Sequence, residues 1–442
     1  MKFKPLLLVL LLVSTSGLNY AKQSQTDVQL ANMIHSSIQT YYTDRKPSGT
    51  ILIAKAGKKI AAESFGYADR ALHIKNSVQT QYLIGSTTKQ FTGAAILNIL
   101  YEKALASGIA RTDIIGLTAA IKADLHTPIA QIMHMPGWAD QITLHHLLVH
   151  SSGIPNIATT RDFKDLSSNP DDMNKLIAHI STLQLDFTPG TKFNYSNSNY
   201  FLLSMIAQQM TGKSLAVYMQ EKFFEPLGMK STSLDYGTVN DLKQNLAKYK
   251  NLARGYEFEI TRPDAPISEI KKYEHLHIAS GAGGMVSTAP DLILWNDALY
   301  NARVLPDFLV EMMLTPHIEG GNSSFHAYGY GIGVMNYPGI GVVYEHAGKI
   351  PGYVSNLVYI PSLQLSIVCL SNLMYGGDDI HTATKNIRAT LPADISYKER
   401  NARIDEEIIK MYPAYATNEK LYDTRGFVNY FLAKLPQLNT QS

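Results

Sequence analysis

The sequence predicts an α+β fold, an antiparallel β-sheet flanked by helices with an inserted, mainly helical subdomain. Two sets of strand-like segments predict the sheet. Near the N-terminus, Thr50–Ala54 and Ile60–Tyr67 are apolar runs joined by a turn at Gly57. Towards the C-terminus, Tyr328–Tyr337, Gly341–Glu345, Tyr353–Ile360 and Leu365–Ser371 are rich in Val, Ile and Tyr. Only turn-length gaps separate them, which favours antiparallel pairing. The third observation is helical spacing through the middle third. Strands at both ends with helices between them imply one body whose sheet is closed by both halves of the chain.

Taken in order, Lys2 and Lys4 precede the apolar run Leu6–Val13, and small or polar residues continue to Ala21. This is the pattern of a secretory signal peptide, residues 1–21, and the run is too short to span a bilayer. Residues 25–44 have amphipathic helical spacing. A buried helix runs from Ser86 to Leu105, and residues 106–140 are mixed. Helices follow at Asp171–Ile180, Tyr200–Thr211 and Leu215–Phe224, punctuated by Pro189-Gly190 and Pro226-Leu227-Gly228. The texture changes near Gly281. A helix at Pro290–Tyr300 leads into the second strand set, and another spans Asp378–Leu391. The predicted main body covers residues 25–392, with an α/β part at 25–85 and 281–392 and a helical part at 86–280. Residues 393–442 are charged and helical, and form a C-terminal extension.

The chain has 442 residues, 45% of them hydrophobic, enough for a large core. Its 39 basic and 37 acidic residues are dispersed, which argues against nucleic-acid binding and against an acidic solvating tail. The single cysteine, Cys369, lies in the run Leu365–Leu370 and reads as a small hydrophobe in a core strand. One cysteine forms no internal disulfide.

The chemistry concentrates at Ser86-Thr87-Thr88-Lys89. This tetrad follows Tyr82-Leu83-Ile84-Gly85 and opens a helix, so Ser86 and Lys89 lie one turn apart on the same face. An amine in that position can take a proton from the serine, which makes Ser86 a candidate nucleophile without a histidine base. The competing reading is a helix N-cap serine. A second Ser-x-x-Lys, Ser268-Glu269-Ile270-Lys271, lies in the polar stretch Ala265–Glu274 and reads as a solvated loop. A serine–lysine site needs a lysine pKa pulled down from its free value of about 10.4. It also needs a second proton carrier and an oxyanion hole. Tyr195-Ser196-Asn197, ahead of an apolar helix, offers a phenol and an amide. His346-Ala347-Gly348-Lys349 ends the strand from Gly341, where His346 would point into a cleft and Gly348 would let a substrate approach the backbone.

In order and spacing, Ser86-x-x-Lys89, Tyr195-x-Asn197 and His346-x-Gly348 resemble the three motifs of the serine β-lactamase and penicillin-binding-protein superfamily. Leu147–Pro155, Pro226–Met229 and Gly283–Leu292 resemble further stretches of it, so that the resemblance covers residues 28–390. The nearest branch is that of class C β-lactamases, D-alanyl-D-alanine carboxypeptidases and esterases. The resemblance implies the β-lactamase/transpeptidase-like fold and an acyl-enzyme at Ser86, with Lys89 accepting its proton and Tyr195 carrying that proton to the leaving group. Asn197 would orient the substrate amide, and the N–H groups of Ser86 and Lys349 would form the oxyanion hole. His346, Gly348 and Lys349 would line the substrate site.

Two features depart from the family pattern. His346 stands where class C β-lactamases carry lysine. A histidine, with a free pKa of about 6.5, grips a carboxylate less firmly. The stretch Ala106–Gln141 is longer than expected and alters the cleft rim. The expected function is therefore a bacterial periplasmic or secreted serine hydrolase, a carboxypeptidase-like peptidase or an esterase or amidase on small substrates. The alternatives are a class C-type β-lactamase and a non-catalytic penicillin-binding scaffold. Its partner would be a small molecule or short peptide, a peptidoglycan stem peptide or a β-lactam, with no stable protein partner implied.

No cofactor or metal is expected. His146 and His150 have zinc-compatible spacing but lack a His-Glu-x-x-His frame. Gly281-Ala282-Gly283-Gly284 does not complete a dinucleotide loop. The chain also has no Gly-x-Ser-x-Gly elbow.

Overall fold

The computed structural model describes residues 25–438 apart from 44–45, 134, 136, 158–172, 235–248, 260–266, 271–275, 320–325, 377, 393–396 and 413–423. The expected signal peptide, 1–21, lies outside the described residues. The main sheet has eight strands: β1 (Gly49–Lys55), β2 (Lys58–Phe65), β3 (Ile318–Glu319), β4 (Ala327–Tyr328), β5 (Gly333–Tyr337), β6 (Gly341–Ile350), β7 (Tyr353–Ile360) and β8 (Leu365–Ser371). Their spatial order is β2-β1-β8-β7-β6-β5-β4-β3, with every neighbouring pair antiparallel. The pairing of β1 with β8, from Gly49↔Ser371 to Lys55↔Leu365, joins the two halves of the chain.

The helices that frame the site are α1 (Gln25–Tyr42), α2 (Thr88–Ala106), α3 (Ile114–Leu125), α4 (Leu144–Leu148), α5 (Asn197–Thr211), α6 (Ala289–Tyr300) and α7 (Thr424–Lys434). The central strands are apolar without alternation because both sheet faces are covered. Leu52 and Ala54 of β1 and Val368 and Leu370 of β8 face the core that includes α2 and α6. Their neighbours Ile51, Ile53, Ile367 and Cys369 face a second core with α1 and α7. Cys369 is buried there as a free thiol. Between α2 and α6, Trp295 stacks on Phe91 at 3.9 Å and its indole N–H donates to Gln90 at 2.9 Å.

Four segments differ from the sequence expectation. Tyr328–Tyr337 is two strands, because Gly329–Ile332 closes a turn through Gly329 N–H to Ile332 O at 2.8 Å. The strand from Gly341 does not end at Glu345. It runs to Ile350, since pairing with β7 continues to Ile350↔Tyr353, so His346, Gly348 and Lys349 lie inside a strand. The second Ser-x-x-Lys copy is not a loop at its serine: Ser268–Glu269 is a short, partly exposed strand paired with Glu257 and Tyr256. Lastly, the segment beyond residue 393 ends in α7, which is built into the core. Phe427, Val428, Phe431 and Leu432 are buried against the sheet, and Tyr41 of α1 packs edge-on to Phe427 at 5.6 Å.

Since Phe431 is fully buried, Phe431→Ala should lower the unfolding free energy by about 3–5 kcal/mol. Ile115, 85% exposed, should move it by less than about 0.5 kcal/mol when changed to Ala. Urea titration of both variants checks the difference.

Candidate active site

Residues Gly85–Thr87 form a 3-10 turn that runs into α2. The N-cap position is Thr87, in helical conformation and without a side-chain capping bond, so Ser86 is not the cap of this helix. The turn is tied to the sheet instead. The Thr87 hydroxyl donates to His346 O at 3.0 Å, and the Ser355 hydroxyl donates to Ile84 O at 2.6 Å. Two glycines permit this backbone-on-backbone contact. A β-carbon on Gly348 would lie 1.9 Å from Ile84 O, and one on Gly85, whose φ is +50°, would lie 2.8 Å from Lys349 N. What approaches Gly348 so closely is therefore the backbone just before Ser86. The Lys349 side chain is exposed and, by strand alternation, lies on the face opposite Gly348. Its backbone N–H belongs to the segment that adjoins Gly85 and Ser86.

Lys89 sits one turn after Ser86 and is fully buried. Its Nζ reaches Ser86 Oγ at 3.1 Å, Asn197 Oδ1 at 2.8 Å and Ala282 O at 2.6 Å. It also lies 4.8 Å from the Tyr195 ring centroid and 5.4 Å from that of Tyr200. None of the ion pairs among the described residues includes Lys89. Burial without a carboxylate holds its pKa well below the ordinary lysine value. A partly neutral amine at hydrogen-bond distance from a serine can act as its base.

Asn197 is the first residue of α5, and a neighbouring loop fixes its amide. Its oxygen faces Lys89, while its backbone N–H and its Nδ2 donate to Asn156 Oδ1 at 3.2 and 3.3 Å. The hydroxyls of Ser196 and Ser198 donate to Pro155 O at 3.2 and 2.6 Å. Tyr195 packs between Lys89 and His150, with ring centroids 4.2 Å apart for Tyr195 and His150.

His346 has partners the sequence did not suggest. Its ring is buried, 3% exposed, and both nitrogens are engaged. Nδ1–H donates to Ala347 O at 2.8 Å, and Nε2 is hydrogen-bonded to the Tyr328 hydroxyl at 2.8 Å. The Ala347 carbonyl, which only accepts, places a proton on Nδ1. The ring braces the site against Tyr328 and lies 6.3 Å from the Tyr195 ring, rather than presenting a free nitrogen to the cleft.

Ser86, Tyr195 and Asn197 thus converge on the Lys89 amine, and the backbones of Gly348 and Lys349 flank the Ser86 loop. Sequence reasoning missed Ala282, Asn156, Tyr328 and Ser355, and it weighed His150 only as packing or half of a zinc pair. Ala282 contributes a carbonyl, which leaves no side-chain signal. Among the described residues no cluster of three or more His, Cys, Asp or Glu is arranged to hold a metal ion.

Residues 34–391 match the family described as Beta-lactamase. The chain belongs to the β-lactamase family. Among its relatives, Protein flp of Staphylococcus aureus (strain COL) is 30% identical over 329 residues, 74% of this chain. The chain spans only 60% of the length of that protein. A solved penicillin-binding protein homologue from Pyrococcus abyssi, an octamer, superposes with a TM-score of 0.61 at 26% identity, over 78% of this chain and 73% of the other. The D-amino acid amidase of Ochrobactrum anthropi SV3 shares the fold, with a TM-score of 0.62 at 23% identity over 87% of this chain and 99% of the other. This β-lactamase-family member therefore has the mixed fold with a large antiparallel sheet seen in those structures.

Two outcomes follow from the site geometry. Gly348→Ala forces Ile84 away from β6, and an ångström-scale displacement of the nucleophile should cut turnover of a p-nitrophenyl ester by about 10²-fold. The second concerns pH. The folded-state pKa of Lys89 lies below its unfolded value, so between the two the unfolded chain binds the extra proton. Stability then rises with pH until the unfolded value of about 10.4 is reached. Lys89→Met removes this slope. The unfolding free energy of wild type minus that of Lys89→Met should therefore increase from pH 6 to pH 9, and a difference that is flat or falling contradicts the assignment.

Proposed function

We propose that the protein is a serine hydrolase that forms an acyl-enzyme at Ser86. Its substrates are small amides or esters built on D-amino acids, in the manner of a carboxypeptidase-like peptidase or an amidase. The observation that carries the reading is the buried, unpaired-by-carboxylate Lys89 amine 3.1 Å from Ser86 Oγ.

Lys89 takes the Ser86 proton as Oγ attacks the substrate carbonyl. Negative charge then develops on the carbonyl oxygen, where the N–H groups of Ser86 and Lys349 receive it. One such donor is worth about 10²–10³ in rate. Tyr195, beside Lys89, passes the proton to the departing amine or alkoxide. Asn197 has given one Nδ2 proton to Asn156 and keeps the other for the substrate carbonyl. Water then attacks the acyl-enzyme by the reverse proton route and frees Ser86.

The choice of amides and esters rests on His346. A buried ring with both nitrogens engaged offers less grip than a lysine on the carboxylate of a β-lactam or of a C-terminal D-alanine, which favours small amides and esters. The fold shared with a D-amino acid amidase supports the same class. The family name favours β-lactam hydrolysis as the second reading.

Purified wild type and Ser86→Ala are to be compared on D-alanine p-nitroanilide, a p-nitrophenyl ester, nitrocefin and a fluorescent penicillin. Turnover of the first two and labelling by the penicillin should disappear in Ser86→Ala, and activity that survives there sinks the nucleophile assignment. Nitrocefin turnover faster than turnover of the anilide and ester selects the β-lactamase reading. Tyr195→Phe should lower kcat on the anilide by about 10²–10⁴-fold, the usual worth of a positioned proton carrier.

A further inference from the structure

Outside the residues that meet the reacting atoms, His150 packs directly against Tyr195, with ring centroids 4.2 Å apart. It is fully buried, and its backbone lies in the left-handed region at φ +58°. A residue with a β-carbon keeps that conformation where its surroundings impose it. Here the surroundings are the chain on either side of Tyr195. His150 O accepts from Asn194 N at 2.9 Å, and His150 Nδ1 accepts from Ser196 N at 3.2 Å.

A second donor reaches the same ring nitrogen. Asn199 Nδ2 lies 3.3 Å from Nδ1, and its Oδ1 accepts the Ser152 hydroxyl at 2.6 Å, which orients the amide. With two N–H groups directed at Nδ1, the ring is neutral and carries its proton on Nε2. Burial holds the His150 pKa well below its ordinary value, and positive charge on Lys89 or His346 would push it the same way, in keeping with a neutral ring. The ring face lies 4.2 Å from Tyr195, and Tyr200 and Tyr328 pack at 5.1 and 5.2 Å. Lys89 lies 4.8 Å from the Tyr195 ring.

We propose that His150 is the positioning residue for the proton-carrying tyrosine. Its carbonyl and Nδ1 clamp the backbone before and after Tyr195, and its ring backs the phenol beside Lys89. The catalytic consequence rests on the serine-hydrolase reading above; the clamp itself does not. The clamp requires the neutral ring, since a protonated one would turn a second N–H towards Ser196 N–H. Ser152 and Asn199 act through His150 by fixing which nitrogen accepts.

Two substitutions separate the acceptor from the ring. His150→Asn keeps an acceptor near Nδ1 and tolerates the left-handed backbone, but loses the ring. His150→Phe keeps a ring and loses the acceptor. Hydrogen exchange at the amides of Asn194 and Ser196 and steady-state kinetics on a p-nitrophenyl ester are measured on wild type and both variants. His150→Phe should lower kcat by about 10²-fold with KM little changed, the cost of a misplaced catalytic group. Its Ser196 amide should exchange at least tenfold faster. His150→Asn should restore slow exchange and most of kcat.

Wild-type exchange and kcat in His150→Phe, or equal losses in both variants, overturns the clamp. A wild type with no Ser86-dependent turnover sinks the functional reading alone, because the exchange comparison still decides the clamp. Should a variant fail to fold, 15N spectra of histidine-labelled wild type decide it: a neutral His150 protonated at Nε2 is expected, and protonation at Nδ1 overturns the proposal.

Discussion

The site depends on one constraint, an amine buried without a carboxylate. Taking a lysine out of water is costly unless the amine sheds its proton or finds acceptors. Here the partners are Ser86 Oγ, one turn back, and two groups from remote parts of the chain, Asn197 Oδ1 and Ala282 O. Each of them fixes the segment that carries it, because losing any would leave a polar group stranded beside Lys89. Burial, working against the pull of those acceptors, disfavours the ammonium form and leaves a base in contact with the serine. The groups that offset the cost of burying Lys89 are thus largely the groups that make it useful.

A second constraint is the close packing of the Ser86 turn on β6. Gly85 and Gly348 bring the two backbones together, and the hydroxyls of Thr87 and Ser355 bridge what side-chain packing alone would leave loose. The main-chain groups of the turn and of the strand edge are thereby held side by side on a rigid support. That support is the sheet, covered on one face by α2 and α6 and on the other by α1 and α7. Rigidity of this kind suits a site in which an oxyanion must meet donors already in place.

The chain departs from the pattern of class C β-lactamases at His346. In the structure this residue is an internal strut, donating to its own strand and hydrogen-bonded to Tyr328, which also packs against His150. Among the described residues, α3 and the short turns up to Asp140 fill the stretch after α2, and α3 packs into the core through Leu117, Ile121 and Leu125.

Sequence alone determined the fold class, most element positions and the chemical identities at Ser86, Lys89, Tyr195 and Asn197. These are legible because strand and helix periodicities are local, and because catalysis demands particular functional groups at short spacings. The break at Gly329–Ile332, the extension of β6 to Ile350 and the docking of α7 were decided by tertiary structure, since each depends on a partner surface far away in the chain. The same holds for Ala282, Asn156 and His150. A carbonyl, a loop amide and a buried ring acquire their roles only when residues 89, 150, 197 and 282 are brought to one point. No local pattern encodes that proximity, and packing around a single buried amine supplies it.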